Sequence, residues 1–172
     1  MFNAWQFPQG ANMIKKHYYT WNDVENMCVQ IVKNMYADNW TPDYIVGITR
    51  GGNVPATIIS NMTGIRCEAL KVSLRDGETG KTGDSIEWMA KDAQAGKKIL
   101  VVDDINDTGA TFNWISKDWK LDPKMHEVRF AVLTENLSSE FGNVNYHCDE
   151  VNKAEKDVWL VYPWEIVGIY NG

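Results

Sequence analysis

Cysteine, excess positive charge and long apolar runs are all scarce in this chain of 172 residues. Its three cysteines lie far apart and lack the spacing of metal ligands, which argues against a disulfide framework and favours free thiols in the cytoplasm. The formal charge is −6, so the surplus of Lys and Arg typical of nucleic-acid-binding proteins is missing. Residues 1–10 do not resemble a signal peptide, and apolar runs are only a few residues long, so we expect no membrane partner.

The chain also lacks the Gly-x-x-x-x-Gly-Lys-Ser/Thr loop, which argues against a generic nucleotide kinase. Its length suits one domain with a full core, and no repeat, linker or low-complexity tract divides it. We therefore predict a single domain over residues 1–172. An irregular N-terminal arm would cover residues 1–19, and a C-terminal hood would cover about 135–172.

Helical and strand-like patterns alternate along most of the chain. The first helix begins at Thr20, which has a capping partner in Asp23, and ends before Thr41. Further helices are predicted at 53–62 (capped by Asn53 and closed by Gly64), 84–94 and 111–118, and strands at 44–48, 67–74, 99–102 and 127–133, with short strands at 145–148, 158–161 and 167–170. This alternation predicts an α/β fold with a parallel twisted sheet flanked by helices.

Residues 99–111 are the most informative segment. Four apolar residues predict a buried strand, which is followed at once by Asp103 and Asp104. Asp107 then opens a small polar turn before a helix, and backbone N–H groups at such a helix N-terminus bind anions. The paired carboxylates can hold ribose hydroxyls, or a hard metal ion bridged to phosphates. The segment therefore predicts a ligand that carries a sugar, a phosphate and Mg²⁺ together.

A second segment, residues 49–52, reads Thr-Arg-Gly-Gly and follows the predicted strand at 44–48. Arg50 offers several donors to a diphosphate, and the two glycines allow the backbone to approach a ligand closely. Alone, Arg-Gly-Gly is also an ordinary tight turn. Its place between a buried strand and a helix favours a ligand-binding loop.

Three segments resemble type I phosphoribosyltransferases. Residues 99–111 resemble the family's motif for 5-phosphoribosyl-1-pyrophosphate (PRPP), with Asn106 at a position that is usually apolar. Residues 48–55 resemble its pyrophosphate loop, in which the peptide before the arginine is often cis. Residues 157–165 resemble the C-terminal segment of the xanthine-guanine branch, in which the first tryptophan stacks on the purine.

The resemblance implies a type I phosphoribosyltransferase-like fold and a Mg²⁺-dependent transfer of the phosphoribosyl group of PRPP to a purine, such as guanine, xanthine or hypoxanthine, in nucleotide salvage. It also implies a homodimer or homotetramer. Carried over by position, ribose and Mg²⁺ would be bound by Asp103 and Asp104, and a proton of the base would be managed by Asp107. The 5′-phosphate would be held by Thr108, Gly109, Ala110 and Thr111, and pyrophosphate by Thr49, Arg50, Gly51 and Gly52. The base would be contacted by Trp159 and the carbonyl of Leu160. Trp164 and Glu165 would serve packing and a structural contact.

One departure from the family concerns base recognition. Relatives carry a lysine after the strand at 127–133 that contacts the purine oxo group, but this chain has Glu135 and Asn136 there. The next lysine, Lys153, follows too far along the chain for the sequence to assign it. Two alternatives therefore stay open: a PRPP or nucleotide sensor on the same fold, and an enzyme for a different acceptor.

The loop at 75–83 is either a lid or an ordinary loop, and Trp159 is either a stacking or a core residue.

Overall fold

The computed structural model describes residues 14–72, 74, 85–124 and 126–166, with side chains from Glu87 onward in the third of these segments. The predicted loop at 75–83, the predicted strand at 167–170 and most of the predicted N-terminal arm lie outside the described residues. Within that part of the chain, no helix is long and apolar enough to cross a membrane.

The described elements alternate between strands and helices, as the sequence pattern predicts. In chain order they are β1 (Lys15–Tyr18), α1 (Trp21–Ala37), β2 (Tyr44–Thr49), α2 (Asn53–Thr63), β3 (Cys67–Lys71), α3 (Ser85–Gln94), β4 (Ile99–Asn106), α4 (Ala110–Asp118), β5 (Val128–Asn136), β6 (Asp149–Val151), β7 (Val158–Val161) and a 3₁₀ turn (Pro163–Ile166).

Five of these strands form one parallel sheet in the order β3-β2-β4-β5-β6, so β4 is central. Helices α1 and α2 cover one face, where they pack on Ile45, Leu100 and Val102. Helices α3 and α4 cover the other face, where they pack on Val46 and Val101. Because both faces are covered, the strands are apolar on both sides. The predicted α/β class with a parallel sheet flanked by helices is confirmed.

The helix ends show two confirmed caps and one correction. Gly64, with φ +74°, ends α2 as predicted. Thr20 and Asp23 form the predicted capping box, with Asp23 N donating to Thr20 Oγ1 at 3.0 Å and Thr20 N donating to Asp23 Oδ2 at 2.8 Å. The prediction that Asn53 caps α2 is wrong. Gly52 is the capping residue, and Asn53 is already helical. The Asn53 side chain instead donates to Thr49 Oγ1 at 3.0 Å, which ties the helix to the turn before it.

The strand ends differ more from the prediction. β4 does not end at Val102, because its pairing with β5 continues as far as Asn106 opposite Glu135. The predicted strand at 145–148 is reduced to a single bridge between Tyr146 and Ala131, and β6 follows it. Residues 15–18, expected to be irregular, form β1 in parallel with β7. The end of β4 was predicted too early because the strand continues through polar residues. β1 was missed because its partner strand is distant in sequence.

Candidate functional site

The segment 49–52 and the aspartate pair lie against each other because β2 and β4 are adjacent and parallel. A Cβ added at Gly51 would overlap Asp104 Oδ2, and one added at Gly52 would lie 2.8 Å from the Cα of Asp103. Only glycine therefore allows this approach. The Thr49–Arg50 peptide is cis, as the resemblance implies. Arg50 is exposed beside the pair, so its guanidinium is available to a ligand.

The Asp103 and Asp104 side chains are adjacent and half-buried. Burial, reinforced by the charge of Asp104, raises the pKa of Asp103 well above its usual range. Burial also raises the pKa of Asp104, against hydrogen bonds that favour its ionised form. Backbone N–H groups bind both carboxylates: Asp104 N donates to Asp103 Oδ1 at 2.9 Å, and Ile105 N donates to Asp104 Oδ1 at 2.8 Å. A cation bound here would offset the cost of keeping both groups ionised.

This donor set fits Mg²⁺ held jointly with a substrate. The described residues contain no cluster of three or more His, Cys, Asp or Glu side chains that could enclose a metal. Mg²⁺ is commonly bound by one or two carboxylates, with water and substrate phosphates completing its six positions. Asp103 and Asp104 supply that number of carboxylates, and Arg50 lies on the adjacent loop for any phosphate that the ion would share.

The loop at 107–111 forms the N-terminus of α4. Gly109 caps the helix with φ +89°, and a Cβ there would lie 2.5 Å from the backbone N of Phe141. Glu140 N donates to Thr108 O at 3.0 Å, and Ala110 N donates to Thr108 Oγ1 at 3.3 Å. An open cavity of about 70 Å³ lies over this loop and also borders Asp103. The helix N-terminus therefore opens onto a space that favours a small anion.

Two residues that sequence reasoning left unassigned meet Asp107. Asn136 Nδ2 donates to the carbonyl oxygen of Asp107 at 2.8 Å, and Asn136 Oδ1 accepts from Lys153 N at 3.1 Å. The Lys153 ammonium lies 3.0 Å from Asp107 Oδ1. Asn136 thus holds Asp107 and Lys153 side by side, and a lysine does reach the site, although it comes from the segment after β6.

The two unusual residues of the motif region are partners inside the fold. Asn106 Nδ2 donates to Glu135 Oε1 at 2.8 Å and to the carbonyl oxygen of Phe141 at 2.9 Å. Burial raises the pKa of Glu135, and its second oxygen is buried with no hydrogen-bond partner among the residues that the structure describes. Asn106 and Glu135 therefore tie β4 and β5 to the turn that supports the loop at 107–111.

Trp159 is exposed to solvent. Its side chain is 57% exposed, so the alternative of a core residue is wrong, whereas Leu160 is buried. The two lie on β7, which pairs with β1 and not with the five-stranded sheet. The structure thus brings together segments 49–52, 103–104 and 107–111 at the carboxyl end of the parallel strands. Trp159 lies on a separate small sheet.

Tyr162 connects that small sheet to the aspartate pair. Its hydroxyl donates to the carbonyl oxygen of Asp104 at 3.1 Å and lies 2.9 Å from Thr134 Oγ1. Its ring stacks on Trp164 with centroids 4.8 Å apart, and its backbone N donates to Glu165 Oε2 at 2.7 Å. Trp164 and Glu165 therefore serve packing and a structural contact, as predicted, and Tyr162 is the residue of this segment that the sequence did not single out.

Comparisons with known proteins agree with this geometry. The profile of the phosphoribosyl transferase domain matches residues 10–164. The chain belongs to this family. The chain is 27% identical to xanthine phosphoribosyltransferase 1 of Saccharomyces cerevisiae over 88% of its length and 90% of the relative. It is 22% identical to hypoxanthine-guanine phosphoribosyltransferase of Schizosaccharomyces pombe over 86% and 88%. A purine phosphoribosyltransferase from Pyrococcus horikoshii has the same fold, with TM-score 0.66, 22% identity and coverage of 92% and 99%.

Proposed function

We propose that this protein is a purine phosphoribosyltransferase, which transfers the phosphoribosyl group of PRPP to a ring nitrogen of guanine, xanthine or hypoxanthine and releases pyrophosphate. The observation that carries the proposal is that a carboxylate pair, an Arg-Gly-Gly loop and an anion-binding helix N-terminus meet at the carboxyl end of the parallel strands. PRPP has a ribose diol, a diphosphate and a 5′-phosphate. These fit the carboxylate pair, the Arg-Gly-Gly loop and the helix N-terminus, respectively. The names of the curated relatives support a purine acceptor.

The Arg50 loop and the aspartate pair would act on the bond that breaks. As the C1–O bond of the ribose opens, positive charge grows on the sugar and negative charge on the leaving diphosphate. Arg50 and the N–H groups of Gly51 and Gly52 bind the departing diphosphate, and Asp103 and Asp104 orient the ribose hydroxyls and favour the cationic sugar. Mg²⁺, held by the same two carboxylates, supplies further charge neutralisation to the diphosphate when it is bound.

The other end of PRPP would lie on the loop at 107–111. Thr108, Gly109, Ala110 and Thr111 grip the 5′-phosphate through backbone and hydroxyl donors at the start of α4. Asp107 is half-exposed, with its carboxylate directed to solvent and to Lys153. It takes up the proton that the base loses as its nitrogen bonds to the ribose.

The hood would bind the base. Trp159 offers an exposed aromatic face to a flat heterocycle, and base stacking of this kind is worth about 1–3 kcal/mol. The carbonyl of Leu160 accepts from an exocyclic amine. Tyr162 fixes the distance between this surface and the ribose site through its bond to Asp104.

The working form would be a single domain over residues 1–172 with its C-terminal hood, assembled as a dimer or tetramer. Its three free thiols support a reducing compartment such as the cytoplasm. The role would be nucleotide salvage, in which a free base returns to the nucleotide pool.

A panel of bases tests the proposal. The protein is incubated with PRPP, Mg²⁺ and guanine, xanthine, hypoxanthine, adenine or uracil in turn, and pyrophosphate release is followed. Release with one of the first three bases supports the proposal. Release only with another acceptor assigns a different substrate, and PRPP binding without release assigns a sensor. Asp118→Asn, an exposed change at the far end of α4, is a control that should behave like the unmodified protein.

A further inference from the structure

Three buried hydroxyl groups lie in a row behind the carboxylate pair. The Tyr162 hydroxyl lies 3.1 Å from the carbonyl oxygen of Asp104 and 2.9 Å from Thr134 Oγ1. The Tyr19 hydroxyl lies 3.1 Å from the same Thr134 oxygen. All three side chains are buried in one apolar cluster. Because a hydrogen bond adds little net stability and an unpaired buried hydroxyl is costly, phenylalanine and valine would serve packing as well. The row of hydroxyls therefore indicates a role beyond stability.

The donor in each of these hydrogen bonds can be assigned because every hydroxyl has one proton. The carbonyl oxygen of Asp104 can only accept, so Tyr162 donates its proton there. The contact between Tyr162 and Thr134 then requires Thr134 to donate. Since the Thr134 proton is used in this way, the contact between Thr134 and Tyr19 requires Tyr19 to donate. The hydrogen bonds therefore run in one direction, from Tyr19 to Asp104, and each bond polarises the next.

The row ends on the peptide unit that holds the Asp104 carboxylate. The C=O of Asp104 and the N–H of Ile105 belong to one planar unit. Tyr162 binds the C=O, and the N–H donates to Asp104 Oδ1 at 2.8 Å. Because the unit is planar, a rotation that moves the C=O away from Tyr162 also turns the N–H away from the carboxylate. Tyr162 thus fixes the direction in which Asp104 presents its carboxylate.

We propose that Tyr162, Thr134 and Tyr19 are positioning residues, which orient the Asp104 carboxylate toward the ribose hydroxyls of a bound nucleotide. This inference rests on the proposed function, in which the carboxylate pair binds the ribose, and deepens it with residues that act through Asp104. Thr134 lies on β5, whereas Tyr19 follows β1 and Tyr162 follows β7, so both sheets contribute. The competing role is packing alone, in which the hydroxyls affect stability but not the recognition of ribose.

The test compares two nucleotides that differ only in the ribose diol. Dissociation constants of guanosine 5′-monophosphate and its 2′,3′-dideoxy analogue are measured calorimetrically for the unmodified protein and Tyr162→Phe. The unmodified protein should bind the guanosine nucleotide about tenfold more tightly or better, the value of one hydrogen bond to a charged group. Tyr162→Phe should weaken that nucleotide by about 5- to 20-fold and change the analogue by less than about twofold, because only the diol depends on the direction of the Asp104 carboxylate.

Variants along the row separate positioning from packing. Thr134→Val has nearly the same shape without the hydroxyl and should lose part of the preference, since Tyr162 still donates to Asp104. Thr134→Ser keeps the hydroxyl and should retain the preference. Tyr44→Phe is the matched control, because it removes a buried tyrosine hydroxyl that lies 3.1 Å from Asp92 Oδ2 at the start of β2. It should keep the preference, and the melting temperature verifies that each variant is folded.

Three results would overturn the inference: no preference for the diol in the unmodified protein, equal weakening of both nucleotides in Tyr162→Phe, or no change in either. Because nucleotide binding does not require turnover, the result is independent of the base panel. If the unmodified protein releases no pyrophosphate with any base, the proposed function fails while the effect of Tyr162 on the diol is still decided. Turnover of a purine together with an unchanged preference in Tyr162→Phe would keep the proposed function and reject the positioning role.

Discussion

The three aspartates of the site have the same side chain but different surroundings, and their expected roles differ accordingly. Asp103 and Asp104 are a half-buried pair suited to a cation, whereas the Asp107 carboxylate is exposed beside Lys153. An ionised carboxylate in the second environment can accept a proton from a bound base. The surroundings of the three aspartates therefore separate acid–base chemistry, expected at Asp107, from cation binding, expected at Asp103 and Asp104.

Asp107→Asn should lower kcat by about a hundredfold or more, because an amide cannot accept the proton that a carboxylate does. PRPP affinity should change little, since the backbone donors of the loop are kept. Steady-state rates with a saturating base, together with calorimetric PRPP binding, measure both effects. Asp118→Asn is the matched control. Unchanged turnover would remove the proton role from Asp107.

Trp159→Ala should weaken binding of the base by about 1–3 kcal/mol, the usual range for stacking on an aromatic side chain. Trp159→Phe should retain most of the affinity, because a smaller ring still stacks. Tyr36→Ala removes another exposed aromatic side chain, on α1, and should leave binding unaltered. Tryptophan fluorescence quenching or calorimetry gives the constants. Equal base affinity in the Ala variant and the unmodified protein would assign Trp159 to another surface role.

Local sequence identified the residues that lie in one continuous segment, and missed those that come from elsewhere. Residues 49–52 and 103–111 carry their own spacing, so their convergence followed from the parallel sheet. Lys153 has no local pattern, and it reaches Asp107 through an ion pair and through the hydrogen bonds of Asn136. Tyr162 was similarly hidden within a run of aromatics.

At the scale of elements, hydrophobic pattern located the strands but not their ends. β4 was predicted to stop where its apolar run stops, at Val102, yet the chain continues as a strand to Asn106. The reason is that the polar side chains at the end of β4 and β5 satisfy one another, as the bond between Asn106 and Glu135 shows. A polar strand of this kind is indistinguishable from a loop until its partner is known.

Glu135→Gln tests the cost of that buried carboxyl. Because burial raises the pKa of Glu135 in the folded state, the folded protein binds more protons than the unfolded chain above the ordinary carboxyl pKa of 4.5. The contribution of this group to stability is therefore present at low pH and is lost as pH rises through the raised pKa. The glutamine variant does not titrate, so the melting temperature of the unmodified protein should fall relative to that of the variant as pH rises above the ordinary carboxyl pKa.

Thermal unfolding at several pH values measures this difference. Glu140→Gln, which removes an exposed carboxylate in the supporting turn, is the control and should follow the unmodified protein. Parallel curves for Glu135→Gln and the unmodified protein would mean that Glu135 titrates normally and that its burial carries no electrostatic cost.

At the scale of the whole molecule, the small sheet joins two strands that lie near opposite ends of the described chain. β1 pairs with β7, and Tyr19 stacks on Tyr162 with centroids 5.1 Å apart. The Tyr19 hydroxyl lies 3.1 Å from Thr134 Oγ1, which also contacts Tyr162. The alternation of helices and strands predicted the main sheet, but pairing between the first and last described strands leaves no local signal, so the small sheet could not be predicted.

Ligand binding should therefore stabilise the molecule as a unit, and in a pH-dependent way. PRPP with Mg²⁺ should raise the melting temperature, by the equivalent of about 2.7 kcal/mol at a hundredfold excess over the dissociation constant. Burial raises the pKa values of Asp103 and Asp104, and a cation binds their ionised forms. On acidification, the ligand-induced increase in melting temperature should therefore begin to shrink at a higher pH than it would if both carboxyls had ordinary pKa values. Chelation of Mg²⁺ should reduce it sharply.

The double variant Asp103→Asn/Asp104→Asn should lose most of the Mg²⁺-dependent part of the shift at every pH, because amides keep the shape of the pair without its charge. Asp118→Asn should keep the full shift and its pH dependence. A full shift with chelator present would show that PRPP binding needs no cation at the aspartate pair. A full shift in the double variant would show that PRPP binds through the loops at 49–52 and 107–111 alone.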